Sequence, residues 1–258
     1  MLLHRSVLFS FVVFYLLTSC KENIDGTSVT EEKINSIVED TIVNDNEVLP
    51  AEVVVSELEQ SLLSAGLVDV LNVIPEAQVD LKYSTSDNFM GIDLYGALTR
   101  CYLQPDVADK LAVAHNYLQT RDSTLTFLIY DGVRPRCIQQ AMWDTLDMPV
   151  EEKVKYVSNP KHGSLHNFGA AIDLTLAYKE NGEALDMGTP YDFFGIEAYP
   201  IKEPLMLEKN RITQEAVDNR KLLRRCMMEG GFFNIQTEWW HFNSCNREEA
   251  KQLYQIVE

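Results

Sequence analysis

The chain has 258 residues, 46% of them hydrophobic and 24% charged, with a formal net charge of −17. That is enough apolar material for one well-packed domain, with two as the upper expectation. So acidic a balance argues against a nucleic-acid partner, which needs a basic face, and is silent on catalysis.

At the amino terminus, His4 and Arg5 precede the apolar run VLFSFVVFYLL and then small polar residues, the pattern of an export signal over residues 1–19. The run is short for a stable transmembrane helix. It ends in Leu17-Thr18-Ser19-Cys20, which resembles the lipobox of bacterial lipoproteins, cleaved before the cysteine and lipidated on it. The plainer reading is a secretory signal with an incidental Cys20. Both readings export the protein. The first makes it a membrane-anchored lipoprotein facing the periplasm or cell surface.

Residues 20–60 read as an acidic tether. From Lys21 to Gln60 there are eleven acidic residues against two basic ones and no aromatic residue. Such a segment buries too little apolar surface to offset its ordering entropy. A helix at the junction is expected within Glu52–Leu67, and residues 61–258 form the folded domain, with its packed part beginning near Leu67.

Along that domain, Val70–Tyr83 alternates well enough for strands broken at Pro75. Pro105–Thr120 is expected to be a helix, with Pro105 in its first turn and Val107, Leu111, Ala114 and Leu118 on one face. Leu125–Tyr130 reads as a buried strand, Arg136–Leu146 as a helix, and Thr213–Met228 as a helix stopped by Gly230-Gly231. Ile235–Asn243 is aromatic-rich and strand-like. Strands and helices alternate irregularly, without a repeat or a nucleotide-binding glycine loop. The expected class is α+β, a small mostly antiparallel sheet with flanking helices. In an oxidising compartment Cys101, Cys137, Cys226 and Cys245 permit three disulfide connectivities. Cys101–Cys137 with Cys226–Cys245 is preferred over four free buried thiols.

The chemistry is concentrated in two stretches. In GSLHNFGAAIDLTLA (163–177), strand alternation puts Ala170, Ile172, Leu174 and Leu176 on one face and Ala171, Asp173 and Thr175 on the other. The second face is small and polar, like the floor of a cleft. A carboxylate at Asp173 is costly in such a strand unless something pairs with it. His166 has the opposite parity, and Gly163 and Gly169 give the chain freedom to bring it round from a preceding turn. The second stretch is Glu238-Trp239-Trp240-His241. His166, Asp173 and His241 together supply three protein ligands to one zinc ion, with the fourth tetrahedral position open for water. Glu238 is then the natural general base. The opposite parity of Glu238 and His241 calls for a bulge or strand end there. His115 and His162 read as packing or surface residues, and Trp239 and Trp240, taken alone, as core.

Ser164-x-His166-x-x-Gly169-x-Ala171-x-Asp173 followed by Glu238-x-Trp240-His241 resembles the zinc D,D-peptidases of bacterial cell-wall metabolism, and among them the D-alanyl-D-alanine dipeptidases of vancomycin-resistance type. The resemblance runs from about Val79 to Phe242, through LKYSTSDNF, YDGVRP, AIDLTL, MGTPYDFFG, NRKLLRRCMMEGGF and EWWHF. It implies one Zn²⁺ held by His166, Asp173 and His241 in a cleft on the sheet, with Glu238 activating water. Arg134 would stabilise the tetrahedral oxyanion, against the simpler role of a structural salt bridge. Ser164 and Asp192 match positions that hold the charged ends of the dipeptide. Val133 stands where the family commonly has an aromatic residue, and Asn167-Phe168 where it has a polar, often basic, pair; both are expected beside the cleft. The implied substrate is D-Ala-D-Ala. The alternatives are longer wall peptides, cut by a D,D-carboxypeptidase or endopeptidase of the same fold, or a non-catalytic lipoprotein holding wall fragments. Export suits D-alanine salvage or wall turnover better than destruction of cytoplasmic dipeptide.

Overall fold

A computed structural model describes residues 56–258. The export signal, Cys20 and nearly all of the acidic tether lie outside the described residues. Helix α1 (Glu57–Ser64) starts inside the segment assigned to the tether. The Ser56 side chain caps it, and Leu62 is fully buried. Packing therefore begins several residues before Leu67.

The next elements are β1 (Val68–Asp69) and α2 (Val70–Val73), then β2 (Gln78–Val79). Of the strands expected in Val70–Tyr83 on either side of Pro75, the second is present as β2, but the Asp69 carboxylate accepts from the Leu71 amide at 2.9 Å and starts a helical turn in place of the first. After β3 (Tyr102–Leu103) come α3 (Pro105–Arg121), β4 (Leu125–Asp131), α4 (Arg136–Thr145) and α5 (Val150–Lys153). A 3₁₀ turn at Leu165–Phe168 leads into β5 (Ala171–Tyr178). Then follow α6 (Glu203–Glu208), α7 (Gln214–Glu229), β6 (Phe233–Asn234), β7 (His241–Asn243) and α8 (Arg247–Leu253). The strand expected over Ile235–Asn243 is divided, because the Asn234 side chain donates to the carbonyls of Glu238 and His241 and folds the chain into a loop. His241 accordingly opens a strand, as the parity argument required.

The main sheet has the order β2-β4-β5-β7-β6, with β2 parallel to β4 and the other pairs antiparallel. β1 and β3 form a separate antiparallel pair. The fold is α+β. Helices α3 and α7 pack together against β4 and β5, and Val107, Leu111, Ala114 and Leu118 of α3 are fully buried there with Ile172, Leu174 and Leu176. The cysteine expectation is corrected. All four are free: Cys101, Cys226 and Cys245 are buried and Cys137 is exposed. Cys101 is wedged against Gly132, where a Cβ would lie 2.4 Å from its sulfur, while Cys137 sits on the solvent side of α4. Neither the disulfide pairing nor four buried thiols describes this arrangement.

Gly169 closes the 3₁₀ turn with φ of +65°, and a Cβ there would meet Leu67 Cδ2 at 2.9 Å and the Gln104 amide at 3.3 Å. Left-handed backbone and crowding both oppose a side chain. Gly169→Ala is expected to lower unfolding stability by about 1–3 kcal/mol, read from urea denaturation of the metal-free protein. A change below a few tenths of a kcal/mol would show that the turn relaxes freely.

Candidate metal centre

The site is built from a register. Asp173 on β5 pairs with Asp131 on β4 and with His241 on β7, so the three lie in one row across the sheet. Pairing slips by one residue between Ile129 and Asp131, leaving Tyr130 as a bulge. Ile129 pairs with Leu174, whereas Asp131 pairs with Asp173, and these two partners point to opposite faces. Without the bulge Asp131 would face the helices; with it, Asp131 joins the Asp173 face. The glycine turn brings His166 over the same row.

His166 Nε2, Asp173 Oδ1 and His241 Nδ1 converge, and one ligand atom from each of the three residues lies within 4.8 Å of the others. His166 Nε2 lies 3.1 Å from His241 Nδ1 and 3.3 Å from Asp173 Oδ1, and His241 Nδ1 lies 2.9 Å from the same oxygen. The outer ring nitrogens are already committed. His166 Nδ1–H donates to the Gly132 carbonyl at 2.7 Å, and His241 Nε2–H donates to Asn243 Oδ1 at 2.9 Å. These bonds fix the tautomers so that the inner lone pairs face inward. Asp173 Oδ2 accepts from Tyr191 Oη at 2.9 Å, which leaves Oδ1 for the centre. Two imidazole nitrogens and one carboxylate oxygen, oriented from outside, are a donor set that fits zinc.

Burial alone pushes the Asp173 carboxyl up, but the facing His166 and His241 outweigh it and hold it far below the usual carboxylate range. Burial likewise disfavours a charged His241, yet the hydrogen bond and charge of Asp173 prevail and push it up to about 9.

A second ring of residues escaped the sequence reading. Asp131, fully buried, accepts from Arg134 Nε at 3.0 Å and from its Nη2, from Tyr95 Oη at 2.7 Å and from the Gly132 amide at 3.0 Å. The guanidinium is thereby aimed along the cleft, 5.1 Å above the Tyr83 ring and 4.0 Å from Asp173. Asp131 stood beside Arg134 in the sequence, but only the bulge reveals its direction. Tyr191 is held between the rings of Tyr130 (4.9 Å) and Trp240 (5.4 Å); both tryptophans are core, and Trp240 is also cleft wall. Burial, reinforced by nearby carboxylates, pushes the Tyr83, Tyr95 and Tyr191 phenols well up, so each stays a donor.

The cleft of about 240 Å³ is lined by the three ligands, Arg134, Ser164, Asp192 and Glu238, among others. Asp192 adopts a left-handed φ of 57° and accepts from Tyr83 Oη at 2.8 Å. Burial, with the charge of Asp173 next, pushes its carboxyl well up; burial also raises Glu238, against the opposing pull of His241. Val133, Asn167 and Phe168 do not line the cleft. Val133 and Phe168 are core residues, and Asn167 is buried, its side chain tying the Arg134 carbonyl, Gln139 and the Ser164 amide together. His115 is a packing residue bonded to Thr126 and Gln119.

A buried His–Asp–His set with oriented tautomers, opening on a cleft that carries a glutamate and an arginine, defines a metal-dependent hydrolase. A family model described as Peptidase M15, D-Ala-D-Ala dipeptidase, matches residues 63–257, and the chain belongs to this family of metallopeptidases. It is 36% identical over 178 residues to a D-alanyl-D-alanine dipeptidase of Escherichia coli K12, covering 68% of this chain and 83% of that one. A D-alanyl-D-alanine dipeptidase of Enterococcus faecium is 27% identical over 197 residues, covering 70% and 92%. A solved LdcB LD-carboxypeptidase, 18% identical, superposes with a TM-score of 0.36 over 59% of this chain and 63% of that one, too loosely to carry an argument.

Two outcomes follow from the geometry. Asp131→Asn removes the charge from a buried pair and is expected to cost about 3–5 kcal/mol of stability by urea unfolding. A loss under 1 kcal/mol would mean that Arg134 finds another partner. Metal must also displace the proton that His241 holds below about 9, so apparent metal affinity should fall by up to about tenfold per pH unit below that value. Chelator competition between pH 6.5 and 8.5 measures this, and a flat profile would contradict it.

Proposed function

We propose that the protein is an exported zinc dipeptidase that hydrolyses D-Ala-D-Ala. The observation that carries the proposal is the convergence of His166, Asp173 and His241 on a small cleft holding Glu238, Arg134 and Asp192. Zinc bound there supplies a Lewis acid that polarises the peptide carbonyl and acidifies water. Glu238 takes the proton of the attacking water and returns it to the leaving amine. Burial raises its pKa, which suits a group that must both accept and release a proton. Arg134, locked by Asp131, offers a fixed guanidinium to the developing oxyanion without reorganising. Asp192, hydrogen-bonded to Tyr83, receives the substrate ammonium, whose charge restores the ionised carboxylate that burial disfavours. Ser164 lines the same cleft.

The size of the cleft supports a short substrate, since about 240 Å³ is below the roughly 300–1,000 Å³ of ordinary small-molecule pockets. One observation favours the alternative of longer wall peptides. Ile235 lines both the cleft and a neighbouring apolar groove with Ile201, Met228 and Phe233. On this proposal Leu17-Thr18-Ser19-Cys20 acts as a lipobox and the enzyme is exported to the outer side of a membrane, where wall-derived peptides are the available pool.

The test is hydrolysis of D-Ala-D-Ala and of a wall pentapeptide ending in D-Ala-D-Ala, with and without chelator. Cleavage of the dipeptide, abolished by chelator and restored by Zn²⁺, is expected. Release of D-Ala from the pentapeptide alone would transfer the activity to the carboxypeptidase reading, and chelator-insensitive turnover would remove the metal. Glu238→Gln should lower kcat by about 10²–10⁴-fold while leaving zinc bound; full activity in that variant would end its role as base.

A further inference from the structure

A carboxylate can hold a metal through one oxygen or through both, and the choice decides how many positions stay open. At Asp173 the two oxygens have different surroundings. Oδ1 lies 2.9 Å from His241 Nδ1 and 3.3 Å from His166 Nε2, so it faces the centre. Oδ2 accepts from Tyr191 Oη at 2.9 Å, and the Arg134 guanidinium stands off at 4.0 Å. Among the described residues the Tyr191 hydroxyl is thus the one group in hydrogen-bond contact with Oδ2.

The direction of that hydroxyl is fixed by packing. The Tyr191 ring lies 4.9 Å from Tyr130, 5.4 Å from Trp240 and 6.4 Å from Tyr83, centroid to centroid, so it has no room to swing. Its backbone is anchored nearby, where Trp239 Nε1 donates to Thr189 Oγ1 at 2.8 Å. The next residue, Asp192, is left-handed at φ 57°. In an extended chain, consecutive side chains point to opposite sides. With this kink both reach the site, Tyr191 to Asp173 and Asp192 to Tyr83.

We propose that Tyr191 is a positioning residue that holds Asp173 to one-oxygen ligation and so keeps a place for water beside the three protein ligands. The role rests on the zinc reading given above. A second Asp173 oxygen on the metal would fill or crowd the position that a hydrolytic centre must leave open. Phenylalanine at 191 preserves the ring and its packing and removes only the hydrogen that restrains Oδ2.

The experiment compares wild type, Tyr191→Phe and Tyr191→Leu. Zinc affinity is read by chelator competition at fixed pH. The visible absorption of the Co²⁺-substituted proteins reports coordination number, because the bands weaken as ligands are added. Tyr191→Phe should bind zinc about 10- to 100-fold more weakly and show weaker cobalt bands than wild type. Tyr191→Leu, which also lacks the hydroxyl, should show the same cobalt change. Wild-type zinc affinity and cobalt bands in Tyr191→Phe would overturn the assignment and leave the dipeptidase reading intact. A change confined to Tyr191→Leu would overturn it too, by making the ring a packing element. A wild type that binds no zinc would remove the metal reading, and the role of Tyr191 with it.

Discussion

The site depends on one cross-strand alignment, that of Asp131, Asp173 and His241 on neighbouring strands of the main sheet. Strand pairing holds their backbones within hydrogen-bonding distance, so the carboxylate and imidazole at the metal centre need no flexible loop to meet. A one-residue slip of β5 against β7 would turn Asp173 to the helix-packed face and dismantle the centre. The bulge at Tyr130 makes the opposite use of the same rule, since it rotates Asp131 out of the core and into the row. Rigid elements thus supply Asp173 and His241, and the 3₁₀ turn before β5 supplies His166.

Around this row the outer atoms of the three ligands and the guanidinium of Arg134 have partners. Gly132, Asn243 and Tyr191 each take one outer atom of a metal ligand, and Asp131 takes the guanidinium of Arg134. Buried polar groups at such density are destabilising unless every one is paired, and here the pairing also orients them. Gly132 serves twice, its amide donating to Asp131 and its carbonyl accepting from His166, in a space where Cys101 and the Tyr102 carbonyl leave no room for a Cβ. The aromatic wall of Tyr83, Tyr130, Tyr191 and Trp240 keeps the phenols of Tyr83 and Tyr191 in a dry setting where they remain donors to Asp192 and Asp173.

Charge is divided within the cleft in a way the overall balance of −17 does not suggest. Asp173, Asp192 and Glu238 share the cleft with the guanidinium groups of Arg134, which Asp131 holds, and Arg247.

Several features were legible in the chain alone because they rest on local periodicity and on residue chemistry. Helix α3 shows its buried face through Val107, Leu111, Ala114 and Leu118, and β5 shows its two faces through strict alternation. The ligand types and the glycines that let His166 turn were visible for the same reason. What failed locally were short segments where a side chain overrode the pattern. Asp69 started a helical turn in an apparent strand, and Asn234 folded a loop out of another. The roles of Asp131, Tyr191 and Asn243, the commitment of Ser164 to Gln139, the burial of Asn167 away from the cleft and the separation of the cysteines were decided by tertiary structure alone. Residue type and spacing determine which chemistry a chain can perform, but the direction of each hydrogen bond depends on partners that lie tens of residues away and are brought close only by the sheet.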